Sequence, residues 1–266
     1  MKKYALLGFL VLHAVICSCS TVPITGRRQL DIIPDNQMMS MSYQQYDQFM
    51  EEHQLSDDRE KTEMVKRVGK RIQLAVEGYF SERGMKDQLE DYSWEFNLIE
   101  SEEVNAWAMP GGKVVVYTGL LPVAGDENGL AVVMGHEIAH AVAKHGDERL
   151  SQVLITQMGG MALSEALDQA PDETRQLWLA VYGVGTQVGV LLPYSRTHES
   201  EADHLGLIFM AMAGYDPRVS LDFWQRMLDR REGPAPPEFL STHPAGETRI
   251  ENMKSLMPEA MKYYNP

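Results

Sequence analysis

The segment Gly135-His136-Glu137-Ile138-Ala139-His140 constrains this chain more tightly than any other stretch. It falls inside Glu127 to Gly146, which reads as one helix, with Asp126 as N-cap and Gly146 as the stop. Helical residues four apart share a face, so His136 and His140 can both reach one ion, and Glu137 sits one step round, where it can hold a water. A catalytic zinc takes three protein ligands and keeps one open position. A His six residues beyond His140 would complete such a set locally, but that residue is Gly146, and His145 faces elsewhere. The third ligand therefore comes from a distant segment, which the fold has to bring against this helix.

The acidic cluster Thr197-His198-Glu199-Ser200-Glu201-Ala202-Asp203-His204 is the obvious source. On a helix Glu199 and Asp203 share a face, while Glu201 is rotated by about 200° from each. If Glu199 ligates, Asp203 can hydrogen-bond a ligating His and orient it. If Glu201 ligates, no carboxylate supports it. Helical phase selects Glu199 and leaves Glu201 as the carboxylate expected to be replaced with little loss. His198 and His204 read as surface or packing residues. The implied cofactor is one Zn2+ per chain, held by His136, His140 and Glu199.

Met1-Lys2-Lys3, the apolar run Tyr4 to Ile16 and the small residues Cys17-Ser18-Cys19-Ser20 read as a secretory signal peptide over residues 1–18. Ile16 and Ser18 before Cys19 resemble a bacterial lipobox, which makes Cys19 the lipidated first residue of the mature chain. Cleavage after Ser18 or Ser20 without a lipid is the alternative. Acyl chains on Cys19 would anchor the chain to a membrane, with residues 19–35 as tether. Ser20 and Thr21 put no Asp after the Cys. By resemblance to other lipoproteins this places the chain in the bacterial cell envelope, on the periplasmic face of the outer membrane. At most one Cys remains after cleavage, so no intramolecular disulfide supports the fold. Lys+Arg is 24 against Asp+Glu 38, a net charge of −14 that repels phosphate backbones and argues against nucleic acid as a partner.

Helical patterns also run from Gln37 to Glu52, Asp57 or Asp58 to Tyr79, Ser151 to Ala166, His198 to Ala213, Leu221 to Arg231 and Thr248 to Met257. Ser93 to Glu100 alternates as a half-buried strand. Asn105 to Met109 and Lys113 to Tyr117 flank Pro110-Gly111-Gly112 as a hairpin. Gln176 to Ser195 carries no charge. Its glutamines, its three glycines and Pro193 make it a buried core helix rather than a membrane span. The sum is a mostly helical α+β domain with a small antiparallel sheet over residues 36–266, with no internal boundary.

These segments resemble the zinc metallopeptidase family that includes the HtpX heat-shock protease, the CAAX prenyl protease and the bacterial lipoproteins LoiP and BepA. The matching motifs are Asn105 to Gly112, Gly135 to His140 with His145, Ser195-Arg196 through Glu199 to Asp203, and Ser241-Thr242-His243-Pro244 followed by Arg249-Ile250. Val22 to Leu30 is similar to the opening of the lipoprotein members. The resemblance covers nearly all of the mature chain. It implies a zincin-like (gluzincin) domain and zinc-dependent hydrolysis of peptide bonds in misfolded or unassembled envelope proteins. Glu137 would be the general base, and the family's E-x-x-x-D pair falls on Glu199 and Asp203. Unlike HtpX, the chain shows no convincing membrane span, and unlike BepA it leaves no room for a helical-repeat domain.

Asp203 either orients a ligating His, the preferred role, or assists proton donation. Asn105, Ala106 and Trp107 are candidate substrate contacts, adding an extended polypeptide by main-chain pairing, or else part of a plain structural hairpin. His243, biased toward an extended conformation by Pro244, could stabilise an oxyanion, fill the zinc's open position or be structural. Arg249 could bind a carboxylate or the oxyanion. Two other functions compete: a chaperone-like envelope lipoprotein using the same strand, and a metal-binding lipoprotein without proteolysis. An intact Glu137 argues against both, because a binder needs no general base.

Overall fold

The computed structural model describes residues 19–22, 25–168, 172–187, 191–231, 237–244 and 246–266. The signal-peptide stretch, residues 1–18, lies outside the described residues. Strands β1 (Cys19–Thr21) and β2 (Arg28–Leu30) pair antiparallel. Helices α1 (Asp35–Glu52) and α2 (Arg59–Glu82) follow, then β3 (Glu95–Ile99), β4 (Ala106–Met109), β5 (Lys113–Tyr117) and the short α3 (Leu121–Ala124). The remainder is helical: α4 (Glu127–Val142), α5 (His145–Ala166), α6 (Asp172–Thr186), α7 (Leu192–Met212), α8 (Val219–Arg231), α9 (Phe239–Thr242) and α10 (Glu247–Ala260). The chain divides into two compact units, residues 38–143 with 199–266, and residues 1–37 with 144–198. The sequence shows no boundary there because two of the divisions cut through α1 and α7, where no Pro- or Gly-rich linker marks them.

In the unit formed by residues 38–143 and 199–266, the sheet order is β3-β5-β4. The hairpin β4–β5 is antiparallel as expected, but β3 pairs parallel to β5, so the sheet is mixed. All five residues of β5 are buried, whereas β4 is buried only at Ala106. A strand apolar on both faces belongs in the middle. That leaves β3 the far edge of β5, where it runs parallel. At the hairpin turn Gly111 and Gly112 have φ of 89° and 84°, conformations that L side chains rarely adopt.

Helix α2 buries Val65, Val68, Ile72 and Val76, the stripe visible in the sequence, and packs on β3 and α4. Its N-cap is Asp58, whose carboxylate accepts the Lys61 N–H at 3.1 Å. Helix α4 is capped as expected by Asp126, which accepts from Gly129 N–H at 3.0 Å, and every residue from Gly129 to Ala139 is buried. It ends at Val142 rather than at Gly146. Lys144 takes the left-handed conformation at φ 56°, a role its residue type does not announce.

In the unit formed by residues 1–37 and 144–198, α5 begins at His145, earlier than the pattern suggests, with Asp147 and Glu148 in its first turn. Acidic side chains there favour the helix N-terminus. Gln176 to Ser195 is not buried as a core helix would be, and residues 188–190 of that run lie outside the described residues. Helix α6 ends at Thr186 and α7 starts at Leu192, and Trp178, Val181 and Val184 are all more than half exposed. No helix among the described residues is long and apolar enough to cross a membrane.

Candidate active site

Helices α4 and α7 pack closely at two glycines. A Cβ on Gly206 would stand 3.0 Å from His136 N and 3.1 Å from Gly135 C, and one on Gly135 would stand 3.1 Å from Gly206 O. Residues 199, 203 and 206 share a helical face. The contact that brings Gly206 onto α4 therefore lays Glu199 and Asp203 over the histidines.

Four side chains converge there. His136 Nε2 and His140 Nε2 are 3.1 Å apart, and Glu199 carboxylate oxygens lie 3.4 Å and 3.3 Å from them. His243 Nδ1 is 3.2 Å from His136 Nε2 and 3.0 Å from Glu199 Oε1. One donor atom from each of the four lies within 4.8 Å of the rest. Facing imidazole nitrogens beside a carboxylate are a nitrogen-and-oxygen donor set of the kind zinc takes at about 2.0–2.2 Å.

His136 Nδ1 is 3.0 Å from Asp203 Oδ1, which aims Nε2 at the cluster. Asp203 in turn accepts two bonds from Arg249, from Nε at 2.8 Å and from Nη2 at 2.7 Å. Arg249 lies over the Trp224 ring at 3.5 Å, and its Nη1 is 3.2 Å from Glu199. Phe239 stacks on His243 with ring centroids 4.5 Å apart. Of the two options for Arg249, the structure places it on a carboxylate.

Burial works against charge in this cluster, yet hydrogen bonds from His136, His140 and His243 outweigh it and hold Glu199 far below the usual carboxylate range. Burial also pushes His136 down, but Asp203 and Glu199 raise it to about 9. The site therefore favours positive charge. Glu137 is almost wholly buried, and burial pushes its carboxyl up against the pull of His243 and His136. Its Oε1 makes no hydrogen bond, although His243 Nε2 is 3.3 Å away.

Other sequence candidates fall elsewhere. Glu201 is outside the donor group, as its helical phase requires, but it is buried rather than solvated, so replacing it is not free. His198 is not at the surface. Its Nε2 is 2.8 Å from Glu148, and its ring stacks on His145 at 4.4 Å. Glu148 also accepts from Arg27 at 3.0 Å and 2.7 Å. His204 pairs with Glu259 at 3.0 Å. The main chain of Cys19 lies in β1, opposite Leu30.

Asn105 accepts the Tyr117 N–H through its carbonyl at 3.1 Å, and Ala106 is buried in β4. Trp107 packs edge-on against Phe49, centroids 4.8 Å apart, and Tyr46. Strand β4 is a sheet edge and lies against α4. Sequence reasoning missed Trp224, Phe239 and Glu148. The two aromatics look like ordinary core residues, and the one signal for Glu148 is an acid in the first turn of a helix.

Residues 66–257 match Peptidase family M48. The chain is 34% identical over 244 residues to the mitochondrial metalloendopeptidase OMA1 of Schizosaccharomyces pombe, which covers 90% of this chain and 66% of that protein. It is 33% identical over 247 residues to the mitochondrial metalloendopeptidase OMA1 of Homo sapiens, covering 90% and 46%. Against the beta-barrel assembly-enhancing protease of Escherichia coli it is 33% identical over 168 residues, covering 60% and 34%. The chain thus spans about two thirds or less of the length of these relatives. The mitochondrial relatives overturn the expectation of a place at the bacterial outer membrane. That expectation rested on Ser20 and Thr21 after Cys19, by resemblance to other lipoproteins, and two residues locate a chain less firmly than relatives matched over 90% of it. Matched over most of its length, and with the motif residues gathered at one site, the chain belongs to peptidase family M48, a family of zinc-dependent metallopeptidases.

Proposed function

We propose that the chain is a zinc-dependent endopeptidase whose catalytic machinery lies in the unit of residues 38–143 and 199–266. The carrying observation is that donor atoms of His136, His140 and Glu199 converge beside the buried Glu137 carboxylate, one oxygen of which makes no hydrogen bond. His136, His140 and Glu199 would hold the zinc, which supplies Lewis acidity toward water and the scissile carbonyl. Glu137 takes the proton of the attacking water and returns it to the leaving amine. Asp203 accepts from His136 Nδ1 and fixes the ring, and Arg249 fixes Asp203.

At the free edge of the sheet the main chain of Ala106, at the start of β4, faces away from β5 and would pair with an extended polypeptide, with Asn105 and Trp107 flanking it. The Trp107 side chain holds that strand against Phe49 and Tyr46. Main-chain pairing tolerates any sequence, which suits misfolded or unassembled proteins as substrates. Hydrolysis of casein by wild type and by Glu137→Gln, with and without a chelator, tests the assignment. Zinc binding without cleavage would favour the chaperone-like or the non-proteolytic metal-binding alternative.

His243 is inferred to fill the open position and hold the enzyme inactive, because its Nδ1 stands among the other donors. His243→Ala then raises basal cleavage; a fall would make His243 an oxyanion stabiliser instead. Cys19 is the proposed point of lipid attachment, which labelling with an alkyne fatty acid tests in the full chain. Loss of label in Cys19→Ser supports it, and an unlabelled wild type refutes it.

A further inference from the structure

Away from the His136 site, three carboxylates meet at the start of α5. Asp31 follows β2, Asp35 opens α1 and Asp147 lies in the first turn of α5. One oxygen of each lies within 4.8 Å of the others. Asp147 is only 3% exposed. Lys144, in its left-handed conformation, places Nζ 2.6 Å from Asp35 Oδ1 and 3.6 Å from Asp31 Oδ2. That ammonium does not satisfy the group. Asp147 Oδ1 and Asp31 Oδ1 are buried and accept no hydrogen bond. Three carboxylates against one ammonium leave a formal charge of −3 + 1 = −2. A buried carboxylate without a partner is costly. Burial, reinforced by Asp31, accordingly pushes the Asp147 carboxyl up to about 7.

We propose that Asp31, Asp35 and Asp147 form a second metal site, distinct from the zinc site, that takes a hard divalent cation and prefers Ca2+. The donors are all carboxylate oxygens, with no imidazole or thiolate to favour zinc. Ca2+ holds its oxygens at about 2.3–2.6 Å, so any two of its ligands lie within about 5 Å of each other, the spacing found here. Asp31 and Asp147 each bring to the group a buried oxygen that has no hydrogen-bond partner. A divalent ion together with Lys144 brings the charge of the group to zero. Bound there, the ion ties the segment between β2 and α1 to the first turn of α5. This site does not rest on the peptidase reading.

The test uses the full chain, loaded with zinc and freed of other metals. It is titrated with CaCl2, and separately with MgCl2, by calorimetry and by thermal unfolding. Wild type should bind one further Ca2+ and melt higher with it. Asp147→Asn and the exposed-site variant Asp35→Asn should bind at least about tenfold more weakly, since affinity follows ligand charge. Asp147→Asn has a second readout: it raises the melting temperature without calcium, because a buried unpaired charge is gone, and abolishes the further rise with calcium. Tighter binding of Mg2+ than of Ca2+ overturns the stated preference. Absence of heat and of any melting shift with both ions in wild type overturns the site, as does equal binding by the variants.

Discussion

Gly206→Ala probes whether the contact between α4 and α7 sets the ligand geometry. The added Cβ would meet His136 N at 3.0 Å, and Gly135 C and His136 Cα at 3.1 Å. These are backbone atoms of the helix that carries both histidines, so no side-chain rotation relieves them. Ordinary carbon contacts need about 3.5–4.0 Å, and the helices must part by a few tenths of an ångström. Overpacking of this kind costs about 1–3 kcal/mol, against a gain of about 1 kcal/mol in helix propensity. Gly78→Ala in α2 is the control, because nothing lies within 4 Å of its Cβ and it gains propensity alone. The difference between the two variants isolates the contact at about 1–3 kcal/mol, or about 2–4 °C of melting temperature per kcal/mol. Zinc sites tolerate distance errors of about 0.2 Å. A retreat of Glu199 by that much or more should weaken zinc binding at least about tenfold. Thermal melting, with zinc competition against a chromophoric chelator, measures both effects. If Gly206→Ala melts as high as Gly78→Ala and holds zinc as wild type does, the reasoning fails.

Three further expectations concern charged groups. Arg249→Met removes the two-pronged partner of Asp203, and zinc affinity should fall about 10–100-fold by chelator competition; unchanged affinity would show that Asp203 needs no support. Burial raises Glu148, but His198 and Arg27 outweigh it and hold its carboxyl at about 2, against an ordinary 4.5. Stability from Glu148 is thus fully present above pH 4.5 and is lost as pH falls toward 2. Glu148→Gln should cost about 1–3 kcal/mol at neutral pH and flatten that acid limb, and a variant melting like wild type contradicts it. Asp147 has the opposite sign. Its carboxyl rises from 3.8 to about 7, so without a bound cation stability grows as pH falls through that window. Asp147→Asn should remove this slope in melting curves, and an unchanged slope would place its origin elsewhere.

Much of the site is legible in the sequence because helical periodicity fixes relative phase. The four-residue spacing of His136 and His140, and of Glu199 and Asp203, predicts which side chains face one another, and the structure gathers the first three with His243. The N-cap Asp126 and the hairpin at Gly111-Gly112 are likewise local chemistry. What escapes is set by contacts between distant segments. Gly206 looks like a weak point in a helix until α4 lies against it. The parallel pairing of β3 depends on β5 taking the centre of the sheet. Burial of Glu201 and His198 depends on neighbours that periodicity does not supply. The uncharged run from Gln176 reads as core because hydropathy counts residues without knowing what covers them, and Trp178 and Val184 stay exposed.

The most direct measurement is casein cleavage set beside zinc content for wild type and Glu137→Gln, each also in the His243→Ala background so that self-inhibition cannot hide activity. The peptidase reading predicts that both proteins hold equal zinc, that the chelator stops wild-type cleavage and added Zn2+ restores it. Glu137→Gln should cleave at least about a hundredfold more slowly. Equal cleavage by the zinc-loaded Glu137→Gln chain would contradict it, as would no cleavage by the zinc-loaded chain even with His243 removed.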